Sequence, residues 1–315
     1  MNRDEKIDTI KGGLICLVVL GHFISMYGNG ENTQKTIMVF IYSFHMPLFV
    51  IISGFLNNTH KKICQNINKI TETFLISQAG CIVLLIIWGG QIKLSDLFTP
   101  YWTLWYLLSL IFWKTITYYL SPILSNNMKL IFTVCIFLSI ISGYIPHGRI
   151  VSIQRTISFY PFFLYGYYIR IGKLENFIKN IKIAYIIIIA AACIAIFLYK
   201  SNIILTLEKG GDPYQGFYVL IKAILLPCSL LISLSIWTIS HKNPLLSLLG
   251  KKSLSIYVYH TIFIVFIFIP IAHHIGLPRT TFSLILYCIL LIFLLAIWSK
   301  TKLSQYLLNP LSNLK

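Results

Sequence analysis

Ten apolar stretches run through this 315-residue sequence, and they restrict the fold to a helical bundle within a membrane. Runs long enough to cross about 30 Å of hydrocarbon are read as transmembrane helices. Only 11% of the residues are charged, whereas soluble globular chains average about 25%. We therefore predict an all-α, polytopic integral membrane protein with about ten transmembrane helices in one bundle. The predicted spans are 11–27, 36–56, 73–90, 102–120, 129–146, 156–171, 183–199, 215–239, 253–271 and 281–299.

The span 156–171 differs from the others because it is short and contains Pro161 and Gly166. Proline removes a backbone donor and kinks a helix, and such breaks are tolerated where neighbouring protein surrounds the backbone. We expect a kinked or buried helix there.

Lysine and arginine residues are distributed unequally between the two sides of the predicted bundle. Seventeen lie on the side of the N-terminus and seven on the other side, with Lys114 and Lys222 inside spans. Because cytoplasmic loops are enriched in positive charge, both termini are predicted to be cytoplasmic. This topology explains most of the net charge of +17. The charges form no continuous basic face, so we expect membrane lipid and no nucleic acid as a partner.

The predicted loops are short, and no further soluble segment follows the last span. We expect a single transmembrane domain over 1–315 with no appended soluble domain, so the chemistry must lie in the bundle and its rims. His273 and His274 are too few for a metal site, and the cysteines lack paired spacing. No metal cofactor is expected.

A polar stripe marks the first span. Lys11 and His22 are eleven residues apart, which is three turns plus about 20°, so they share one helix face about 16 Å apart along the axis. Asp8 falls within about 40° of His22. Ionisable groups inside a membrane are costly and usually face a bundle interior, which makes this stripe a functional candidate. Alternatively, Lys11 is a flanking charge and Asp8 caps the helix.

A second distinctive segment, Phe44–Phe49 followed by Ser53–Phe55, lies in the next span. Its Pro47 kinks a helix, and its Gly54 allows close backbone approach. His45 lies about nine residues from the outer boundary and His22 about five, so the two imidazoles are expected at similar depth. The alternative is that each histidine packs or makes an interhelical hydrogen bond.

These segments together resemble the N-terminal signature of membrane-bound acyltransferase family 3, in which a basic residue precedes a histidine by eleven positions. Three later stretches also fit the family: Leu104–Leu107, Arg155 with Phe159–Gly166, and Gly250–His260. The central stretch is similar to the fucose 4-O-acetylase-like branch. The resemblance implies ten helices in the cytoplasmic (inner) membrane of a bacterium. It also implies O-acylation of cell-envelope sugars, with acetyl-CoA as donor substrate and a free or lipid-linked glycan as acceptor.

The resemblance and the chemistry of acyl transfer assign roles to thirteen residues. Histidine titrates nearest neutrality, so His22 is the candidate base, with a transient acetyl-histidine as the alternative route. The candidates for donor binding or support are Asp8, Lys11, His45, Ser53, Lys61, Lys62 and Lys69, and the acceptor-side candidates are Arg149, Arg155, Trp105, Tyr106 and His260.

Each assignment has a plainer alternative. The lysines replace an arginine-rich stretch of many relatives and attract phosphates only as point charges. They and Arg149 also fit ordinary topology charges. Trp105 and Tyr106 suit an interfacial aromatic belt, and His260 suits a packing role.

Two other functions compete with the enzyme. Ten helices with buried charges also fit a polysaccharide transporter or flippase subunit. A repeat-built transporter should show two similar halves, and the pattern from Lys11 to His22 has no second copy in the sequence. A non-catalytic sensor or assembly subunit would use its histidines as pH-responsive contacts. Acetyl-CoA turnover separates these classes.

Overall fold

The computed structural model describes residues 4–57, 63–142, 150–200 and 218–308. Lys61, Lys62 and Arg149 lie outside these ranges. The helices are α1 (Glu5–Tyr27), α2 (Asn32–Phe55), α3 (Ile63–Ile87), α4 (Leu94–Phe98), α5 (Trp105–Asn126), α6 (Met128–Ile141), α7 (Ile153–Arg170), α8 (Ile181–Lys200), α9 (Tyr218–Ile239), α10 (Pro244–Lys251), α11 (Ser253–Ile262), α12 (Ile269–His274), α13 (Thr281–Trp298) and α14 (Lys302–Leu308). A π-helix, Phe263–Phe268, joins α11 to α12.

The predicted fold class is confirmed. A helix lies at each of the ten predicted spans, and the described residues contain no strand. Seven helical segments within the described ranges are long and apolar enough to cross a membrane, and α6 and α8 contribute shorter apolar helices. The chain is a polytopic helical membrane protein.

The structure of helix α7 explains how its span can contain a proline, a glycine and several polar side chains. It runs from Ile153 to Arg170, contains Pro161, and buries most of its side chains. A helix surrounded by protein does not need a lipid-compatible surface, so its sequence can carry Ser, Thr and Tyr. The expectation of a buried helix at 156–171 is confirmed.

The chain before α5 folds differently from the sequence-based prediction. Gln78, in the middle of α3, donates from Nε2 to the Thr99 carbonyl (2.9 Å), and its Oε1 accepts from the Tyr101 backbone N–H (3.1 Å). Gln78 lies nine residues before the end of α3, about 13 Å along the helix axis. The connection therefore turns back along α3, and α5 begins at Trp105 instead of at residue 102.

Backbone contacts divide the chain into two compact units. The described parts of the first lie within Met1–Met46, Phe177–Thr206 and Leu231–Tyr306, and those of the second within Pro47–Asn176, Leu207–Leu230 and Leu307–Lys315. The single domain over 1–315 stays a prediction.

In the first unit, α10 packs directly on the N-terminal half of α1. A Cβ at Gly12 would overlap the Leu246 carbonyl, and a Cβ at Gly250 would overlap the Asp8 carbonyl. Glycine at both positions therefore permits the two backbones to touch. This crossing fixes the part of α1 that carries Asp8.

The corner after α10 is also anchored to a neighbouring helix. Lys252 donates from Nζ to the Ala296 carbonyl of α13 at 2.9 Å. Desolvation and the nearby charge of Lys300 lower the pKa of Lys252 below its ordinary value. This contact fixes the start of α11, which carries His260.

In the second unit, the end of α2 crosses α7 in the same way. A Cβ at Gly54 would overlap the Phe163 carbonyl, and a Cβ at Gly166 would overlap the Ile51 carbonyl. Small residues at both positions allow the helices to approach closely. The close approach expected at Gly54 is present, and Pro47 lies inside a helix that continues to Phe55.

Candidate active site

Two imidazoles meet inside the first unit. The rings of His22 on α1 and His260 on α11 have centroids 5.3 Å apart and planes inclined at 45°. His260 is 0% exposed, whereas His22 is partly buried. The ring of His22 therefore packs on a buried side chain of a neighbouring helix, which is where the polar face of α1 was predicted to point.

Hydrogen bonds fix the tautomer of neutral His260. Its Nδ1 lies 2.8 Å from the Tyr257 carbonyl and 3.1 Å from the Ile256 carbonyl. Carbonyl oxygens only accept hydrogen bonds, so Nδ1 carries the hydrogen and Nε2 carries the lone pair. Nε2 is buried, and no hydrogen-bond partner for it lies among the described residues. His260 thus holds a basic nitrogen in the interior of the first unit.

The helix that carries His260 changes its hydrogen-bonding pattern just beyond this residue. The π-helix starts at Phe263, three residues after His260. π-helical turns are rare and occur frequently at functional sites. Phe268 at its end packs edge-on against Phe23 of α1, with ring centroids 4.6 Å apart. Phe23 directly follows His22 on α1, so the π-helix packs next to the proposed base.

Helix α2 brings a third histidine and a tyrosine into the first unit. His45 has its Nδ1 2.8 Å from the Ile41 carbonyl, and its ring lies 5.0 Å from that of Tyr42. The Tyr42 hydroxyl lies 3.5 Å from the Cβ position of Gly21, the residue before His22. This contact supports the expected match in depth between the histidines of α1 and α2. Tyr42 was missed because tyrosine in an apolar span has no distinguishing sequence pattern.

The polar stripe continues toward the start of α1 with an ion pair. Lys11 Nζ lies 2.9 Å from the Asp8 carboxylate. Asp8 is buried beneath α10, whereas Lys11 is only partly buried. Asp4, not Asp8, caps the helix, accepting from the Lys6 backbone N–H at 2.9 Å. The capping alternative for Asp8 is therefore wrong, and the carboxylate is paired with the lysine.

Four of the remaining candidates contact one another in the second unit. The hydroxyls of Ser53 on α2 and Tyr106 on α5 are 2.5 Å apart. The guanidinium carbon of Arg155 lies 5.0 Å from the centre of the Trp105 ring. Trp105 is 5% exposed and Tyr106 is 8% exposed. Trp105 and Tyr106 therefore pack inside the second unit, whereas residues of an interfacial belt would lie on its surface.

Lys222 forms a polar cluster in the second unit that the sequence-based assignment missed. Its Nζ donates to the hydroxyls of Ser142 and Ser158, at 2.6 Å each. The two hydroxyls are 2.7 Å apart, and Lys222 is 2% exposed. A lysine within an apolar span indicates a buried polar cluster, but the sequence alone does not identify its serine partners.

We expect replacement of Lys222 by methionine to lower the free energy of unfolding by about 1–3 kcal/mol, because two interhelical hydrogen bonds are lost. Thermal unfolding of purified protein measures the change. The same replacement in a chain with Ser142→Ala and Ser158→Ala serves as the control and should cost less. Equal losses in both backgrounds would contradict the assigned contacts.

The structure gives little information on the remaining four basic candidates. Lys69 is exposed on α3, and Lys61, Lys62 and Arg149 are outside the described residues. Within the described ranges, no three His, Cys, Asp or Glu residues are grouped so that they could hold a metal ion.

Comparison with known proteins identifies the family. The profile of the acyltransferase domain matches residues 4–301. The chain belongs to membrane-bound acyltransferase family 3. The resemblance found in the sequence is confirmed, and the expectation of an acyltransferase is confirmed at the level of the family.

Two relatives of this acyltransferase-family chain are nodulation proteins NolL. The protein from Sinorhizobium fredii is 50% identical over 58 residues, 18% of this chain and 16% of the relative. The protein from Mesorhizobium japonicum is 26% identical over 219 residues, 62% of this chain and 56% of the relative. The matches thus cover less than two thirds of either relative. No solved structure matches the chain significantly.

Proposed function

We propose that this membrane protein transfers an acetyl group from acetyl-CoA to a sugar hydroxyl of a cell-surface polysaccharide or a lipid-linked glycan precursor. The observation that carries the proposal is the partly buried His22 against the buried His260, in a chain of an acyltransferase family. The resemblance to the fucose 4-O-acetylase-like branch is the reason for choosing acetyl. The bacterial inner membrane and cytoplasmic termini belong to the same proposal.

His22 acts as the general base in this proposal. It removes the proton from the acceptor hydroxyl as the oxygen attacks the thioester carbonyl, and the tetrahedral intermediate then expels the thiolate of coenzyme A. The proton passes from His22 to that thiolate, so the products are the acetyl ester and the free thiol. The alternative is a transient acetyl-histidine, formed at His22 and then attacked by the hydroxyl.

The donor enters from the N-terminal end of α1 in this proposal. The Asp8–Lys11 ion pair lies at that end, where the partly buried ammonium of Lys11 is suited to attract the phosphates of coenzyme A. The distance along the axis from Lys11 to His22 is about 16 Å, comparable with an extended pantetheine arm. Lys61, Lys62 and Lys69 are proposed as further phosphate attractants.

The acceptor side is assigned to residues of the second unit and is a separate part of the proposal. Arg155 presents a planar guanidinium, which suits hydroxyl-rich or phosphorylated acceptors. Its contact with Trp105 and the pairing of Tyr106 with Ser53 support a rigid polar surface for the acceptor. The nearly complete burial of Trp105 favours a supporting role over direct sugar stacking. Arg149 is retained as an acceptor-side candidate.

Mass spectrometry of envelope glycans from cells with and without the gene tests this function. We expect one class of glycan to lose the mass of an acetyl group on deletion and to regain it when the wild-type gene is restored. Fragmentation then identifies the sugar and hydroxyl. A transporter predicts a different result, in which surface glycan decreases while the remaining molecules keep their acetyl groups. That second result would overturn the proposal.

A further inference from the structure

His260 Nε2 is a buried basic nitrogen to which the proposed general-base mechanism gives no role. Burying a polar atom without a hydrogen bond is unfavourable, and native proteins usually avoid it unless the site has another use. Nε2 is buried with no partner among the described residues, and the His260 ring packs against the ring of the proposed base. The imidazole that carries this basic nitrogen is therefore held next to His22.

We infer that His260 is the positioning residue of His22 and that its Nε2 accepts a hydrogen bond from the His22 ring during the reaction. This inference rests on the proposed function. A neutral imidazole that acts as a base uses the lone pair on one nitrogen and carries hydrogen on the other. An acceptor beside that N–H selects the correct tautomer and stabilises the imidazolium that forms. His260 supplies this acceptor through its Nε2, since its Nδ1 donates to backbone carbonyls.

In the inferred hydrogen bond, His260 is the fixed partner and His22 is the one that moves. His260 is anchored because its Nδ1 is held by the Tyr257 and Ile256 carbonyls. His22 is only partly buried, and in this inference its ring is the one that turns. Ring centroids 5.3 Å apart place the two imidazoles close enough for a nitrogen-to-nitrogen hydrogen bond between them. Catalytic hydrogen bonds commonly tighten only when substrate is bound.

The path of the proton predicts that His260 affects kcat and has little effect on KM. The proton moves from the acceptor hydroxyl to His22 and then to the thiolate, while His260 gains and loses none. Its hydrogen bond is strongest when His22 is charged, which occurs on the way to products. Loss of His260 should therefore lower kcat and leave the KM for acetyl-CoA nearly unchanged.

The decisive variant is His260→Asn in the full-length protein. The asparagine amide nitrogen occupies the position of Nδ1 and can still donate to the same carbonyls, but nothing replaces Nε2. We expect kcat to fall about tenfold or more, with KM changed less than about threefold. The double variant with His22→Ala should be no slower than His22→Ala alone, because a residue that acts through His22 loses its effect without it.

A second pair of variants decides the question if His260→Asn does not yield folded protein. His260→Gln places an amide oxygen near the position of Nε2, and His260→Met fills a similar volume without a strong acceptor. The glutamine variant should retain more kcat than the methionine variant at equal folded fraction. Equal activities, or a folded His260→Asn with kcat within twofold of wild type, would overturn the inference.

Failure of the inference is distinguishable from failure of the proposed function. An active wild-type protein that requires His22 but tolerates His260→Asn refutes only the positioning role. A folded wild-type protein without acetyl transfer refutes the function itself.

Discussion

Replacement of His22 by alanine is expected to lower the rate of acetyl transfer by about 10²–10⁴-fold, the contribution of a positioned general base. Insertion and folding should be largely retained, because the ring is only partly buried and the buried apolar side chains of α1, among them Ile15, Val19 and Phe23, are unchanged. Release of the coenzyme A thiol by purified protein in the presence of acceptor measures the rate.

The matched control is Ser25→Ala, which changes an exposed side chain on the same helix. Ser25→Ala should keep the wild-type rate. A folded His22→Ala protein with a rate within a few-fold of the control would show that another group performs the proton transfer.

Alanine at Gly250 is expected to lower the free energy of unfolding by about 3 kcal/mol or more, because backbone must move to admit the new methyl group. Its Cβ would overlap the Asp8 carbonyl, and alanine at Gly12 would overlap the Leu246 carbonyl. Both variants should unfold at lower temperature in a thermal assay. Both should also lose activity, because this crossing supports the Asp8–Lys11 pair.

Gly13→Ala is the control, one residue away from Gly12 on the same helix. Apart from its chain neighbours and the backbone of its own helix, no described atom lies within 4 Å of its Cβ position. Replacing an interior helical glycine by alanine contributes up to about 1 kcal/mol of helix propensity, so this variant should be as stable as wild type or slightly more stable. Equal stability of the Gly12, Gly13 and Gly250 variants would contradict the backbone contact between α1 and α10.

The helices were predictable because a chain that crosses hydrocarbon must satisfy its backbone internally and present apolar side chains over a fixed length. The spacing of Lys11 and His22 predicts one polar face on α1. The structure adds an ion pair on this helix, with Lys11 Nζ 2.9 Å from the Asp8 carboxylate.

The contacts of His260 were beyond sequence reasoning. Sequence reasoning places His260 with Arg155 and Trp105 on the acceptor side, whereas its ring contacts His22. Helix packing between distant parts of the chain sets this contact, and the π-helix after His260 shifts the register of the residues that follow it. Neither feature has a local sequence signal.

The folded-back connection before α5 was unpredictable for a related reason. The side chain of Gln78 helps to hold it, because its amide bonds to the backbone of Thr99 and Tyr101. Hydropathy averages over many residues and does not detect one amide.

The most direct test of the central claim is transfer of labelled acetyl from acetyl-CoA to a glycan acceptor by the purified protein in proteoliposomes, with wild type and His22→Ala measured side by side. The proposed function predicts ester-linked label in the glycan for the wild type and background label for the variant. Movement of glycan across the membrane without label, or equal labelling by both proteins, would contradict an acyl transfer that depends on the imidazole of α1.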